Sequence, residues 1–330
     1  ELFMAQAIEL AKSVDLARDV NPSVGSVIVS QAGEVIAAGV HHGSGTDHAE
    51  ATALKHAGEH ARGATVYVTL EPCSGTGKRP PCVQALIDAG VARVVYGQSD
   101  PNPKMSGGAL QLQAAGIEVI SGVLTDECAE LNHSWTFAHQ MGRPWVVWKT
   151  ATTLDGFISV ADSDSKWITG EPAREKVQEI RATVGAIVTG TGTVLADNPQ
   201  LTVRTLGDAE QPLRVVVGTR EIPKDFMIMQ GVKPAICTSD DLKTAITNLW
   251  LEHGIHRVLV EAGAGISTSL WQEHLVDEVY WFQAPTIGGK GVRVLGDIGV
   301  KSVADIHRFS QIAVNRVGLD VLLHFKARQD

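Results

Sequence analysis

Four residues of this sequence have the types and spacing needed to hold a catalytic metal ion and to move a proton. His48 and Glu50 are two positions apart, and Cys73 and Cys82 lie in the segment 69–82. One imidazole and two thiolates leave one position open on tetrahedral zinc, which is typical of catalytic rather than structural sites. A water molecule in that position has its pKa lowered to about 7. We therefore predict that His48, Cys73 and Cys82 bind zinc and that Glu50 transfers the proton of the activated water.

The order H-x-E, then P-C and a second cysteine, is typical of zinc-dependent enzymes that deaminate a base. The interval from Cys73 to Cys82 is wider than the C-x-x-C of base deaminases. Pro81 predicts a helix start, which would place the Cys82 thiolate at a helix N-terminus. Residues two apart do not share a face within a helix. His48 and Glu50 can therefore converge only if the first turn of a helix begins at His48.

The same residues also have structural interpretations. Asp47 and Glu50 have the spacing of a capping box, and buried cysteines often act only as small hydrophobic residues. A fourth protein ligand would make the zinc structural, with His41, His42 and Cys128 as the candidates. None of these three has the close spacing expected of a ligand, so the catalytic interpretation is favoured.

Length, charge and cysteine content restrict the class of protein. A chain of 330 residues exceeds what one hydrophobic core usually serves, which predicts two domains. The net charge of −9 argues against nucleic acid as a partner, since broad nucleic-acid binding needs a basic face. No apolar run approaches the length of a membrane span. Two cysteines beyond the predicted ligands form no disulfide framework, which favours the reducing cytoplasm.

Helical and strand patterns alternate along the chain and predict two different α/β domains. In the first domain the patterns predict helices over 2–16, 48–60, 81–89, 108–115 and 126–141, and strands over 26–29, 35–38, 64–70, 92–96 and 118–120. In the second they predict strands over 145–151, 184–189, 213–217, 257–260 and 278–282, and helices over 171–182 and 268–275. Gly142-Arg143-Pro144 interrupts the helical pattern, so we place the domains at 1–143 and 144–330.

Two glycine-rich turns follow predicted strands of the second domain, at 189–193 and 261–266. Backbone N–H groups of such turns can bind phosphate. Each turn could instead simply join a strand to a helix without binding a ligand. No third glycine completes a dinucleotide fingerprint. Two such turns together predict a nucleotide cofactor. Arg181 and Arg204 have the chemistry to bind a substrate phosphate, or they are solvated surface arginines.

Longer motifs run through both halves. They are Asn21-Pro22-x-Val24-Gly25, His48-Ala49-Glu50, Thr69-Leu70-Glu71-Pro72-Cys73-Ser74, Pro80-Pro81-Cys82, Asp100-Pro101-Asn102-Pro103, Leu154-Asp155-Gly156, Ser165-Lys166-Trp167-Ile168-Thr169, the run 193–204 and Val260-Glu261-Ala262-Gly263. Over essentially the whole chain the sequence resembles the RibD/RibG family of riboflavin biosynthesis, a pyrimidine deaminase fused to a pyrimidine reductase. The wide cysteine interval is that family's own.

The resemblance implies a cytidine-deaminase-like three-layer α/β domain followed by a dihydrofolate-reductase-like α/β domain. It implies zinc-dependent deamination of 2,5-diamino-6-ribosylamino-4(3H)-pyrimidinone 5′-phosphate. NADPH-dependent reduction of the ribosyl group of 5-amino-6-(5-phosphoribosylamino)uracil to ribityl then follows. It also implies one Zn²⁺ per deaminase domain, NADPH as the second cofactor, and assembly as a dimer or larger homo-oligomer.

The resemblance assigns roles position by position, and it makes His48, Cys73 and Cys82 the zinc ligands and Glu50 the proton shuttle. It implies deaminase substrate contacts at Asn21, Asp100 and Asn102, with His42, Lys78 and Arg79 near the phosphate. It implies NADP contacts at Thr152, Trp167, Thr193, Asp197, Gly263, Ala264, Gly265, Ile266, Ser267, Thr268 and Ser269. It implies reductase substrate contacts at Ser165, Arg181, Leu201, Arg204 and Glu261, with Lys149 as a further candidate. The loop 74–79 lacks the family's histidine, which leaves the phosphate contacts open.

Two alternatives remain at this stage. One is a deaminase of another base, such as guanine, cytosine or a tRNA adenosine, fused to an unrelated nucleotide-binding domain. The other is a non-enzymatic protein with structural zinc and a nucleotide-sensing half. The acidic charge disfavours tRNA, and a fourth zinc ligand would support the second alternative.

Overall fold

The computed structural model describes residues 1–75, 80–160, 168–231 and 233–327. The chain forms two compact units, Glu1–Met141 and Gly142–Asp330. Four residues with predicted ligand contacts, Lys78, Arg79, Ser165 and Trp167, lie outside the described residues. Within the described part, no helix has both the length and the apolar character needed to cross a membrane.

The first unit is built on a five-stranded sheet with the order β2-β1-β3-β4-β5. The strands are β1 (Gly25–Val29), β2 (Val35–Val40), β3 (Thr65–Leu70), β4 (Arg93–Gln98) and β5 (Glu118–Ser121). The helices are α1 (Leu2–Lys12), α2 (Ala49–Ala57), α3 (Cys82–Ala89), α4 (Gly108–Ala114), α5 (Thr125–Leu131) and α6 (His133–Met141). Strand β1 pairs antiparallel with β2 and β3, whereas β3, β4 and β5 are parallel.

Helices cover both faces of this sheet because successive side chains of a strand point to opposite sides. Val27 of β1 belongs to a core that includes Met4 of α1 and Cys128 of α5. The next residue, Ile28, belongs to a second core formed with α2, α3 and α4, including Ala53 and Leu86. The unit therefore has three layers, helix, sheet and helix.

The second unit contains an eight-stranded sheet with the order β10-β9-β8-β11-β6-β12-β15-β14 and a two-stranded ribbon, β13-β7. The strands are β6 (Trp145–Thr152), β7 (Phe157–Val160), β8 (Ala186–Gly190), β9 (Leu213–Val217), β10 (Ile236–Thr238), β11 (Arg257–Val260), β12 (Glu278–Gln283), β13 (Gly291–Arg293), β14 (Phe309–Val317) and β15 (Asp320–Ala327). The helices are α7 (Glu171–Ala182), α8 (Thr191–Asp197), α9 (Leu242–His253) and α10 (Ala264–Gln272).

The central strands of the large sheet are parallel, from β10 across to β12, and β15 and β14 add an antiparallel edge. Buried apolar runs such as Val215–Val217 in β9 and Val258–Val260 in β11 are typical of parallel strands that are covered on both faces. Because these strands are parallel, their carboxyl ends lie at one edge of the sheet, where ligands bind in open α/β sheets.

The single helix predicted over 126–141 is wrong, since the structure has α5 and α6 there with a break at Asn132. The backbone of Asn132 (φ −122°, ψ 24°) leaves the helical region. Its side-chain oxygen accepts a hydrogen bond from Ser23 N at 2.7 Å, and its amide donates to Ser23 O at 2.9 Å. The side chain thus forms hydrogen bonds with backbone groups just before β1, which the helical pattern alone does not reveal.

The helix predicted over 268–275 begins four residues earlier, at Ala264, with Gly263 as its N-cap. The glycines of the turn are therefore the N-cap and the first turn of α10. The consequence is that Thr268 and Ser269 lie in the second turn of α10 and not at its N-terminus.

Candidate active sites

The three predicted zinc ligands converge in the first unit. His48 Nδ1 lies 3.2 Å from Cys82 Sγ and 3.5 Å from Cys73 Sγ. The ligand atoms of His48, Cys73 and Cys82 all lie within 4.8 Å of one another, and no other histidine, cysteine, aspartate or glutamate in the described residues joins this group. Three nitrogen and sulfur donors at this separation suit a tetrahedral zinc ion with one open position.

Each ligand is positioned by the end of an element. His48 is the N-cap of α2, and Cys82 is the first residue of α3. Cys73 follows β3, and its Sγ atom accepts a hydrogen bond from Cys82 N at 3.3 Å. Hydrogen bonds from Cys82 and His48 lower the pKa of the Cys73 thiol to about 4. The N-terminus of α3 therefore stabilises a thiolate where a cation would bind.

Glu50 is buried next to the ligands rather than closing a helix end. The capping-box interpretation fails because the N-cap is His48, and Asp47 contacts the Lys55 ammonium instead. Because α2 begins right after His48, Glu50 occupies its first turn. Burial, together with the nearby Cys73 charge, raises the pKa of Glu50 to about 7. A carboxyl group with this pKa can both accept and return a proton near neutral pH.

Glu71 was missed as a positioning residue, although it lies in the Glu-Pro-Cys motif. Its buried carboxylate accepts hydrogen bonds from Gly107 N at 3.2 Å, Ala109 N at 3.0 Å and Asp100 N at 3.3 Å. These bonds fix the loop 100–109 beside Cys73. The sequence did contain an indication of this role. Glu71 directly follows the buried strand β3, a position where a charged side chain needs hydrogen-bond partners.

The predicted deaminase substrate residues lie around this group to different extents. Asn21 Nδ2 is 3.3 Å from His41 Nε2. The His41 and His48 rings pack edge-on, with their centroids 5.4 Å apart. Burial raises the pKa of Asp100 to about 6, with Glu71 and Cys73 adding to the shift. Asn102 N donates to Asp100 at 2.8 Å, so the Asp100 and Asn102 pair forms one loop.

The second unit contains a cavity of about 1130 Å³ at the carboxyl ends of its parallel strands. Among its lining residues are eleven of the predicted ones and two further arginines: Lys149, Arg181, Thr193, Asp197, Leu201, Arg204, Glu261, Gly263, Ala264, Gly265, Ile266, Arg174 and Arg220. Gly263 N donates to Thr193 Oγ1 at 2.9 Å, so the two glycine-rich turns meet. The cavity is large enough for a nucleotide cofactor and a small substrate together.

A charged cluster stands at the wall of this cavity. Arg181 donates to Glu261 from Nε at 2.6 Å and from a terminal nitrogen at 3.1 Å, and the Lys149 ammonium lies 3.6 Å from the same carboxylate. Burial opposes ionisation of Glu261, but Arg181 and Lys149 together lower its pKa to about 2. Burial lowers the pKa of Lys149, and Glu261 opposes that shift.

Four predicted cofactor residues do not line the cavity, namely Thr152, Ser267, Thr268 and Ser269. Thr152 is fully buried and accepts a hydrogen bond from Trp281 Nε1 at 2.9 Å. Ser267 accepts one from Trp148 Nε1 at 3.0 Å. Thr268 donates to Ala264 O at 2.6 Å within α10. Their placement follows from the earlier start of α10 and from packing beneath the sheet edge.

Arg220 and Ser159 are among the cavity-lining residues that the sequence interpretation missed. Arg220 comes shortly after β9, and the indication was a charged residue after a valine-rich strand. Ser159 lies on β7, and its hydroxyl is buried with no hydrogen-bond partner among the described residues. Nothing in the residue pattern around Ser159 indicated its position.

A three-layer α/β unit with a His-Cys-Cys-Glu cluster, followed by a parallel-sheet unit with a nucleotide-sized cavity, defines a zinc-dependent deaminase joined to a reductase. Residues 1–98 match the zinc-binding region of cytidine and deoxycytidylate deaminases, and residues 144–323 match the RibD C-terminal domain.

Full-length relatives show the same organisation. The riboflavin biosynthesis protein RibD of Mycobacterium tuberculosis is 39% identical, with 98% of this chain and 96% of the relative aligned. That of Escherichia coli is 38% identical, with 98% of each covered. The solved structure of Acinetobacter baumannii RibD has a TM-score of 0.89 at 38% identity, covering 99% of this chain and 98% of its own. The Thermotoga maritima deaminase/reductase has a TM-score of 0.85 at 35% identity, with the same coverage.

The chain belongs to the RibD family and is a bifunctional deaminase and reductase of riboflavin biosynthesis. Its cofactors are zinc and NADPH. The donor set of the first unit fits zinc, and the paired glycine-rich turns and cavity of the second unit fit a dinucleotide. The fold expected from the sequence, a deaminase-like and a reductase α/β domain, is confirmed.

Proposed function

We propose that the first unit deaminates 2,5-diamino-6-ribosylamino-4(3H)-pyrimidinone 5′-phosphate and that the second reduces the ribosyl group of 5-amino-6-(5-phosphoribosylamino)uracil. The Thermotoga maritima relative carries these two activities in its name. The observation that carries the proposal is the convergence of His48, Cys73 and Cys82 around the buried Glu50. We assign residues 1–143 to the deaminase and 144–330 to the reductase.

In the deaminase we propose His48, Cys73 and Cys82 as the ligands of zinc, which when bound activates water for attack on an amidine carbon. Glu50 takes a proton from the water and delivers it to the leaving amino group, consistent with its pKa of about 7. Asn21, Asp100 and Asn102 orient the pyrimidine and ribose. Glu71 keeps the loop of Asp100 in place through its backbone hydrogen bonds.

In the reductase we propose that Lys149, Arg181, Leu201, Arg204 and Glu261 contact the substrate. NADPH, when bound, would supply the hydride, and the residues that line the cavity would hold the ribosyl group and exclude water. The phosphate-binding groups of the cofactor site are the Thr193 hydroxyl and the backbone N–H groups of Gly263, Ala264, Gly265 and Ile266. Asp197 contacts the cofactor away from its phosphates. Arg204 holds the substrate phosphate, since Glu261 already pairs with Arg181.

A coupled assay tests the order of the two reactions. The protein is mixed with the diaminopyrimidinone ribotide, ammonia release is followed, and NADPH is then added while its absorbance is recorded. We expect ammonia first and NADPH oxidation only afterwards. Ammonia without NADPH oxidation would contradict the assignment of the second unit, and NADPH oxidation without ammonia would contradict that of the first.

We further propose that the enzyme works in the cytoplasm as a dimer or larger homo-oligomer. Four free cysteines, three of them buried, are consistent with a reducing compartment. Sedimentation velocity of the zinc-loaded protein tests the assembly, and a single monomeric species at micromolar concentration would contradict it.

A further inference from the structure

The reductase cavity is lined by five cationic side chains, and most of them are already engaged. Lys149 and Arg181 share the carboxylate of Glu261, and Arg174 donates to Thr169 O at 3.0 Å. Arg204 and Arg220 also line the cavity, and among the described residues no hydrogen bond or ion pair involves the guanidinium group of either. Two uncommitted guanidinium groups therefore face a cavity whose two ligands carry separate phosphates.

Arg204 and Arg220 lie in different parts of the cavity. Arg204 N donates to Gln178 Oε1 at 3.0 Å, and Gln178 is on α7, the helix that also carries Arg181. Arg204 is therefore on the side of the Lys149 and Glu261 cluster. Arg220 follows β9 and packs against the start of α8, where a Cβ atom added to Gly192 would stand 2.7 Å from its guanidinium nitrogen.

The strand order allows an estimate of the distance between Arg220 and the cluster of Lys149, Arg181 and Glu261. Strand β9 is separated from β6, which carries Lys149, by β8 and β11. Neighbouring strands are about 4.8 Å apart, so three steps amount to roughly 14 Å. The two glycine-rich turns end β8 and β11 and lie between these positions. A dinucleotide that crosses both turns and places its nicotinamide at Lys149 therefore brings its adenosine end to Arg220.

We propose that Arg220 binds the 2′-phosphate of NADPH and sets the preference of the reductase for NADPH over NADH. The inference rests on the proposed assignment of the Lys149 and Glu261 end to hydride transfer. The 2′-phosphate is the single group by which the two cofactors differ, and a guanidinium matches a phosphate in charge and in hydrogen-bond geometry. Gly192 has no side chain, which lets Arg220 lie close to the turn.

The test is equilibrium binding of 2′,5′-ADP and 5′-AMP to the zinc-loaded full chain by titration calorimetry. We expect R220Q to weaken 2′,5′-ADP binding roughly ten- to hundredfold and to leave 5′-AMP unchanged. R220K should recover part of the loss, because a lysine retains the charge without the planar fork. R316Q, which removes the same charge from the exposed strand β14, is the matched control and should leave both dissociation constants unchanged.

The outcomes separate this inference from the proposed function. Equal weakening of both nucleotides, or no weakening of either, would overturn the role of Arg220 while the wild type still binds 2′,5′-ADP. Failure of the wild type to bind either nucleotide or NADPH would overturn the cofactor site itself. R204Q should bind both nucleotides normally, and selective loss of 2′,5′-ADP in that variant would move the 2′-phosphate to Arg204 and refute the proposal. Higher salt should weaken 2′,5′-ADP more than 5′-AMP in the wild type.

Discussion

His48 Nδ1 lies 3.2 Å from Cys82 Sγ although the two residues are 34 positions apart in the chain. One precedes α2 and the other begins α3, and both helices pack on the same face of the sheet. The site is therefore assembled from helix N-termini, whose backbone N–H groups favour the thiolates. We therefore expect deamination to depend on the metal and on one buried carboxyl group, Glu50.

Substitution of Glu50 by glutamine should abolish deamination while leaving zinc in place. The amide keeps the size of the side chain but cannot take a proton, and general acid–base groups contribute about 10²- to 10⁴-fold to rate. Ammonia release and zinc content by mass spectrometry are the measurements. Reduction of the deaminated substrate should continue at the wild-type rate, which serves as the control. Loss of zinc in E50Q would instead favour a structural role.

Removal of zinc should stop the first reaction and spare the second. Treatment with a chelator leaves Cys73 with a pKa lowered to about 4, so its thiolate becomes available to an alkylating reagent. We expect loss of ammonia release, unchanged NADPH oxidation with the deaminated substrate, and alkylation of Cys73 seen by mass spectrometry. Restored activity on adding zinc before alkylation confirms the link, whereas undiminished deamination after complete zinc removal would contradict it.

The clustering of His48, Cys73 and Cys82 and the pairing of the two glycine-rich turns could be predicted from sequence, because both depend on residue type and local spacing. Other features depend on contacts between distant parts of the chain. The break at Asn132 follows from its bonds to Ser23, and the start of α10 at Ala264 was hidden by glycines that also suit a turn. Strands β14 and β15 were not predicted, because their alternation is set by packing at the sheet edge.

Substitution of Arg204 by glutamine should raise KM for the reductase substrate by roughly tenfold or more and leave deamination unaffected. A guanidinium that binds a phosphate contributes about as much as other charge-assisted hydrogen bonds. Initial rates of NADPH oxidation at varied substrate concentration are the measurement, with ammonia release as the internal control. An equal fall in deamination would show that Arg204 does not belong to the second site.

Substitution of Asp100 by asparagine should stabilise the protein at neutral pH and impair deamination. Burial raises the pKa of this carboxyl group from 3.8 to about 6, so its ionisation opposes folding. The penalty is absent below pH 3.8, grows as pH rises to 6 and is complete above it. The asparagine oxygen can still accept the bond from Asn102 N, so we expect a gain of about 1 kcal/mol after allowance for solvent screening.

The measurement for D100N is thermal unfolding at pH 4.5 and pH 7.5, each compared with the wild type under the same conditions. The gain should be larger at pH 7.5. A gain that is equal at both pH values, or larger at pH 4.5, would mean that ionisation of Asp100 does not oppose folding. N102D, which adds a charge to the same loop, is a useful opposite variant and should lose stability as pH rises.

Substitution of Glu261 by glutamine should move the alkaline limit of the reductase to lower pH. Burial already lowers the pKa of Lys149, and the Glu261 carboxylate holds it up. Without that charge the Lys149 pKa falls further, and the ammonium that faces the substrate is lost at a lower pH. We expect kcat/KM for NADPH oxidation to decline earlier on the alkaline side, whereas E261D, which keeps the charge, should retain more of the wild-type profile. An unchanged alkaline limit in E261Q would show that Lys149 is not needed in its charged form.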